Sequence, residues 1–278
     1  MQSFHCGRCN GHWALLIPVF ALFFCPALHA GEPTPHPASL ARWNADIPED
    51  PLKSSQWPSM YIAFLGSGQV VFDPRVEVVV PAEAEDSLRV PVAVRFDQLP
   101  DAEELLVFVD YNPIPKVLQF YPGSEVQSFL GFAVRLQQSS PVRAAVRTKD
   151  GVWHVNGAWV DAAGGGCTLP QAAVSTLDID RIGQVKGRVF AEDDGGSRLK
   201  FYVNHPMDTG LVAGIPSYYI EELSFTDGAG RPLARLTTYE PVSANPVFTL
   251  DLKGSTQDRG VAIAGRDNNG LTIEAHLP

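Results

Sequence analysis

The chain has little sulfur, and its basic residues form no cluster. Its 278 residues include four cysteines and three methionines, and 31 Asp and Glu outnumber 21 Lys and Arg, which gives a formal net charge of −10. An acidic chain without a Lys/Arg patch is poorly suited to bind nucleic acid or anionic lipid. We therefore expect no nucleic-acid partner and no attraction to a membrane surface.

The apolar run at residues 13–24 is too short to cross a membrane, because a spanning helix needs roughly 20 apolar residues. Arg8 precedes this run, and Ala27-Leu28-His29-Ala30 follows it. A secretory signal peptide has this order: a positively charged start, a short apolar stretch, and a small residue at the cleavage site. We predict that residues 1–30 are a Sec-type signal peptide, and that the mature chain is periplasmic without a membrane anchor.

Removal of this signal would leave a single cysteine. Cys6, Cys9 and Cys25 lie within the first 30 residues, whereas Cys167 lies far downstream. An odd cysteine in an exported protein indicates a free reactive thiol or an intermolecular disulfide.

Three glycines, Gly164, Gly165 and Gly166, directly precede Cys167. Glycine gives a backbone wide conformational freedom, so these residues are predicted to be the hinge of an arm. They also have no side chains with which to build a packed wall. We therefore expect an accessible thiol rather than a buried, inert one.

Nothing near Cys167 in the sequence would activate it. The thiolate is the nucleophile of thiol chemistry, and its formation is favoured by nearby cations or a helix N-terminus. The nearest cations in the sequence are Lys149 and Arg181. Cys167 is therefore not predicted to be a self-activating catalytic cysteine. A mobile thiol that enters the clefts of other proteins is typical of a carrier.

Short β-favouring segments flank the glycines on both sides. Residues 31–72 are predicted to be a leader with a short helix at 38–52 that is capped by Ser39. Strands are predicted at residues 76–80, 90–96, 105–109, 117–121, 129–136, 142–147 and 152–160. After a break they resume at residues 185–190, 199–203, 218–226, 232–237, 247–252, 261–266 and 271–275.

This pattern predicts an all-β fold with two β-sandwich domains in tandem. The first would span residues 73–160 and the second residues 177–278. Residues 161–176, which are rich in glycine and small side chains, form the Gly-rich cysteine-bearing arm that joins them.

Other candidate sites are weak. His205 and Met207 are types of residue that bind copper, but no further histidine or methionine lies nearby in the sequence. The acidic run at residues 192–194 has too few regularly spaced oxygen ligands for calcium. We expect no metal, no cofactor and no catalytic residues, since no nucleophile–base pair can be named.

Ordered motifs in both halves resemble a known family. The first half contains Pro81-Ala82-Glu83-Ala84-Glu85, Val90-Pro91-Val92, Asp110-Tyr111-Asn112-Pro113-Ile114-Pro115 and Gly165-Gly166-Cys167. The second contains His205-Pro206-Met207-Asp208-Thr209-Gly210, Ile215-Pro216-Ser217-Tyr218-Tyr219-Ile220 and Ala244-Asn245-Pro246-Val247-Phe248. The sequence resembles SoxY and SoxZ, the subunits of the SoxYZ sulfur carrier, fused into one chain. It is most similar to the quinoprotein dehydrogenase-associated SoxYZ-like carriers.

The resemblance implies an immunoglobulin-like sandwich in each half, and a role for Cys167 in carrying sulfur intermediates of thiosulfate oxidation covalently. It implies periplasmic redox or sulfur-oxidising enzymes as partners, with a quinoprotein dehydrogenase and a cytochrome c as candidates. In the family the arm ends the SoxY subunit as Gly-Gly-Cys-Gly-Gly, whereas Thr168-Leu169-Pro170 follow Cys167 here and make the arm internal. The alternative is a non-catalytic binding or assembly module for such a dehydrogenase or its cytochrome, in which Cys167 forms at most an intermolecular disulfide.

Overall fold

The structure is a computed structural model that describes residues 47–66, 68–169, 178–193, 195–254 and 260–278. The predicted signal peptide, most of the predicted helix at 38–52 and the end of the arm lie outside these residues. Within them, the secondary structure is almost entirely β, and the predicted all-β sandwich class is confirmed. Among the described residues, no helix is long and apolar enough to cross a membrane.

Each strand predicted above has an observed counterpart. The strands of the first half are β1 (Val70–Phe72), β2 (Glu77–Val79), β3 (Val90–Arg95), β4 (Ala102–Val109), β5 (Lys116–Pro122), β6 (Val126–Val134), β7 (Ser140–Thr148) and β8 (Trp153–Val160). Those of the second half are β9 (Val185–Ala191), β10 (Ser197–Val203), β11 (Asp208–Thr209), β12 (Ser217–Tyr218), β13 (Ile220–Asp227), β14 (Pro232–Thr238), β15 (Val247–Leu252), β16 (Val261–Asp267) and β17 (Thr272–Leu277). A 3-10 turn at Ile179–Arg181 precedes β9.

The two halves share their sheets. A nine-stranded sheet has the order β1-β8-β7-β4-β5-β14-β13-β16-β17, and a six-stranded sheet has the order β2-β3-β6-β15-β10-β9. The halves meet where β5 pairs with β14 and where β6 pairs with β15, both antiparallel. The described residues from 47 to 278 accordingly belong to one compact unit.

The main core lies between these sheets and draws on both halves. Alternation along β3 buries Val90, Val92 and Val94, while the residues between them face outward. Their partners in the same cluster include Phe201 and Phe248 of the second half. Full burial of one such side chain contributes about 1.5–3 kcal/mol, so this shared core binds the halves together strongly.

The helix of the described chain lies further along than predicted. Residues 47–52 form a bend and a turn, so the part of the predicted 38–52 helix that is described is wrong. Pro48 and Pro51 explain this, because proline lacks the amide donor and disfavours helical backbone in the residue before it. The helix instead spans Trp57–Met60 (α1) and continues as a π-helical turn at Tyr61–Leu65. Trp57 and its neighbours pack against Leu106 and Phe108 on the outer face of the nine-stranded sheet, and so form a second, smaller core.

Candidate functional site

Cys167 lies in a tight turn that follows β8, and two segments distant in sequence contact it. Its side chain is 1% exposed. The backbone amide of Cys167 donates to Gln137 Oε1 at 3.2 Å, and Sγ lies 3.9 Å from the carbonyl oxygen of Arg135. From the second half, Thr209 Oγ1 donates to the carbonyl oxygen of Cys167 at 2.7 Å. Both halves of the chain therefore hold the cysteine.

The glycines allow the backbone to approach its neighbours closely. The amides of Gly165 and Gly166 donate to the carbonyl oxygens of Gln137 and Leu136, each at 3.0 Å. A Cβ atom at Gly166 would overlap the carbonyl oxygens of Ser87 and Leu136. At Gly164, where φ is +95°, a Cβ would lie 2.7 Å from the carbonyl oxygen of Gln137. Only glycine fits in these places, so the Gly-rich arm (residues 161–169 where described) is docked against the protein.

This arrangement corrects one sequence-based expectation. The expectation that Cys167 is accessible because glycines cannot build a packed wall is wrong: residues distant in sequence bury the side chain. The glycines remove steric obstacles between the arm and the segments at residues 87 and 135–137. Whether Gly164, Gly165 and Gly166 also act as a hinge, and whether Cys167 bears sulfur, stay predictions.

Burial controls the chemistry of the thiol. Desolvation raises the pKa of Cys167 to about 11, and the nearby positive charge of Arg135 offsets only part of that effect. The docked thiol is therefore protonated at neutral pH, and the neutral thiol is a poor nucleophile. The prediction that Cys167 is not self-activating agrees with this environment.

Arg135 is a part of the site that the sequence reading missed. It lies 32 positions before the cysteine, on the backbone that continues from β6, and its side chain is fully buried. Its Nη2 donates to the carbonyl oxygen of Pro206 at 3.1 Å, whereas its Nε has no hydrogen-bond partner in the described structure. Burial lowers the pKa of Arg135 to about 10, so the guanidinium is still charged at neutral pH. The one available signal was an arginine near the end of the strand predicted at residues 129–136.

Asn112 fixes the backbone on which the site is built. Its Nδ2 donates to the carbonyl oxygen of Arg135 at 2.7 Å, and its Oδ1 accepts from the amide of Gln137 at 2.9 Å. Asn112 belongs to the Asp110–Pro115 motif singled out in the sequence. That motif therefore positions the strand end that faces Cys167.

His205 and Met207 hold the loop that carries Thr209. The His205 ring is fully buried, its Nδ1 accepts from the Met207 amide at 3.2 Å, and its Nε2 faces Asp267 at 3.5 Å. The Met207 sulfur accepts from the amide of Ile220. Both side chains are thus occupied in loop packing, and no group of three or more metal-ligating residues occurs in the part of the chain that the structure describes.

Comparison with known proteins places the two halves in two sulfur-oxidation families. Residues 62–167 match the family model of the sulfur oxidation protein SoxY, and residues 188–278 match that of the sulphur oxidation protein SoxZ. The class defined by fold and site is thus a tandem of two sulfur-oxidation domains that jointly enclose a cysteine. The chain is a fused SoxYZ-like protein, as the motifs predicted, and the SoxY match ends at Cys167 itself.

The other comparisons add little. No curated protein matches the chain. Among solved structures, the sulfur carrier protein SoxY from Chlorobium limicola f thiosulfatophilum is 20% identical and aligns over 39% of this chain and 97% of its own, with a TM-score of 0.35. A likeness at that score carries no weight for function.

Proposed function

We propose that the protein is a periplasmic, non-enzymatic carrier that holds sulfur intermediates covalently on Cys167 and presents them to sulfur-oxidising enzymes. The observation that carries this proposal is the position of Cys167. It is the last residue of the SoxY-like segment, on a glycine arm, at the point where the SoxZ-like half contacts it. Periplasmic redox enzymes, including a quinoprotein dehydrogenase and its cytochrome c, are the partners to test.

The docked arm is the resting state in this proposal. A thiol with a pKa raised to about 11 is protonated and enclosed, and hence protected from adventitious oxidation. Delivery to a partner requires the arm to leave its site. Release breaks a small set of bonds, chiefly those to Gln137 and Thr209 and those of the glycine amides.

Intact mass spectrometry tests the proposal most directly. Protein purified without reductant and incubated with thiosulfate is expected to gain a sulfur atom on Cys167 that dithiothreitol removes. The Cys167 thiolate attacks the outer sulfur of thiosulfate, the S–S bond breaks, and sulfite leaves with the electron pair. Cys167→Ser is the matched control and gains no mass. If the wild-type protein acquires no such adduct, in the presence or absence of cell extract, Cys167 is not a carrier residue.

A binding or assembly module is the second candidate, and the burial of Cys167 favours it, since a buried thiol needs no reactivity to be retained. The Cys167→Ser variant separates the two functions in vivo. Full sulfur-dependent growth of the variant would favour the module, whereas complete loss would favour the carrier.

A further inference from the structure

Arg135, whose carbonyl oxygen lies 3.9 Å from Cys167 Sγ, carries a buried cation that lacks a full set of hydrogen-bond partners among the described residues. Arg143 shows what a satisfied buried arginine looks like in this protein. Its three nitrogens make bidentate contacts to Asp50 and Asp110 at 2.7–3.1 Å. Arg135 is as deeply buried, yet among the described residues its Nη2 donates to the carbonyl oxygen of Pro206 and its Nε has no hydrogen-bond partner. Burial of an arginine without a carboxylate or similar anion is costly.

The charges that act on Arg135 do not offset this cost. Ionised Cys167 and the half-buried Asp208 both favour its protonated form, but desolvation outweighs them and the pKa of Arg135 is lowered. Cys167 itself is neutral at pH 7, because burial raises its pKa to about 11. The empty docked arm therefore does not supply the anion that the guanidinium needs.

We propose that Arg135 binds the anionic end of the group carried on Cys167, so that the site prefers a charged sulfur adduct to the free thiol or a neutral adduct. The inference rests on the proposed carrier function. Persulfide and thiosulfonate groups are both anions at neutral pH and share this chemistry. An arginine is suited to such a partner, since its planar fork donates several charge-assisted hydrogen bonds. A loaded arm would then dock more firmly than an empty one.

Two reagents give adducts that differ only in the terminal group. The Cys167 thiolate attacks an inner sulfur of tetrathionate, the central S–S bond breaks, and thiosulfate leaves with the electron pair. The product is Cys167–S–S–SO₃⁻, and the thiol proton passes to solvent. With methyl methanethiosulfonate the thiolate attacks the methylthio sulfur, and methanesulfinate leaves to give the neutral Cys167–S–S–CH₃.

The experiment measures how well the folded protein protects each adduct from dithiothreitol. The protection of an adduct is the rate at which dithiothreitol releases it from the urea-unfolded protein divided by the rate from the folded protein. This division cancels the intrinsic reactivity of the adduct toward dithiothreitol. We expect protection of the anionic adduct to exceed that of the neutral adduct by about tenfold, the factor that one charge-assisted hydrogen bond contributes. In Arg135→Met the protection of the anionic adduct divided by that of the neutral adduct should fall to about one, since the partner cation is gone.

Arg135→Met is expected to fold, because replacement of a poorly paired buried ion by an apolar side chain is often neutral or stabilising. Lys200→Met, which removes a positive charge from the exposed side of β10, is the matched control and should keep the wild-type ratio. A wild-type ratio near one, or an unchanged ratio in Arg135→Met, would overturn the assignment.

A second measurement needs no variant at Arg135. The 2-sulfonatoethyl and 2-aminoethyl disulfides of wild-type Cys167 carry opposite charges on chains of equal carbon number. Greater protection of the sulfonate supports the Arg135 site, and equal or inverted protection contradicts it. Because reagents install these adducts, a failure of thiosulfate to load Cys167 would contradict the carrier function and leave this result unchanged.

Discussion

The hydrogen bond from Thr209 to the Cys167 carbonyl oxygen is a direct link between the two halves at the site. It is 2.7 Å long and buried, and the acceptor belongs to the residue that the carrier hypothesis needs to release. A buried neutral hydrogen bond contributes about 0.5–1.5 kcal/mol net. The strength of this contact therefore sets part of the balance between docked and released arm.

Thr209→Val keeps the shape of the side chain and removes the donor. We expect the released population to rise, and alkylation of Cys167 by iodoacetamide to become about 2- to 10-fold faster at pH 8. Thr272→Val, at an exposed position of β17, should alkylate at the wild-type rate. Equal rates for all three proteins would show that Thr209 does not restrain the arm.

His205 gives the same loop a dependence on pH. Burial lowers the pKa of His205 to about 4 from an ordinary value of 6.5, although Asp267 opposes the shift. Between pH 6.5 and 4 the unfolded chain binds a proton that the folded chain excludes, so stability falls as the pH falls. Protonation would also place a hydrogen on Nδ1, where the Met207 amide already donates.

Thermal unfolding of wild-type protein between pH 7.5 and 4.5 is expected to show this loss, which amounts to about 3 kcal/mol from His205 at most. The difference between wild type and His205→Gln isolates the histidine from the carboxylates that also titrate. The melting temperature of the variant should fall less steeply with decreasing pH than that of the wild type. If the melting temperatures of the two proteins fall in parallel with decreasing pH, His205 is not a source of acid sensitivity.

At the scale of elements, the arm meets the strand end at residues 135–137 through backbone hydrogen bonds of Gly165 and Gly166 and through the side chain of Gln137. Gly165 and Gly166 differ in a useful way. Gly166 meets the carbonyl oxygens of Ser87 and Leu136, whereas Gly165, at φ +80°, has open space except for Leu169 at 3.9 Å. Substitution at Gly166 thus adds a steric clash, and substitution at Gly165 adds backbone strain alone.

Gly166→Ala is expected to expel the arm, because carbonyl oxygens of two fixed segments cannot yield to a methyl group. Alkylation of Cys167 should then approach the rate of a free thiol in a peptide. Gly165→Ala is expected to have a much smaller effect, since the strain of a left-handed alanine is about 1–2 kcal/mol. If Gly166→Ala leaves Cys167 protected, the arm does not occupy the docked position in solution.

The strands were predictable from the sequence because their signals are local. Alternation, β-branched residues and turn dipeptides located every major strand, including β3 and β15, within a few residues. The short strands β1, β11 and β12 were missed, since two or three residues carry too little pattern. The helix at residues 57–60 was missed because Trp57 and Met60 are fixed by packing against the sheet, which is a tertiary effect.

The site was predictable only in part. The odd cysteine and its glycines marked the position, but the residues that contact Cys167 lie at 135–137 and 209. Arg135 lies in none of the quoted motifs, and the His205–Gly210 motif that contains Thr209 gives no sign in the sequence that it contacts Cys167. Contacts of this kind follow from how the sheets assemble, and local sequence patterns do not reveal them.

For the whole molecule, the shared sheets are the dominant feature. The pairing of β5 with β14 and of β6 with β15 makes each half complete the hydrogen bonding of the other. Separate halves would expose these strand edges and the apolar residues between them, which favours aggregation. The two halves are therefore held together by strand pairing and a shared core as well as by the linker.

A protease site introduced within residues 170–177 tests this directly. After cleavage, the two fragments are expected to elute together on size exclusion at the size of the intact chain, and urea unfolding of the uncut protein should show one transition. The uncut variant incubated without protease is the control. Fragments that separate as folded monomers, or two resolved transitions, would contradict the shared-sheet architecture.

Gln137 belongs to the first half and Thr209 to the second, and both hold Cys167. In a complex of two separate subunits, such an enclosure would open whenever the subunits dissociated. Here the two walls are parts of one polypeptide, so closure is an intramolecular step whose equilibrium does not change when the protein is diluted. The chance that a stray oxidant reaches the sulfur should then be the same at nanomolar as at micromolar abundance.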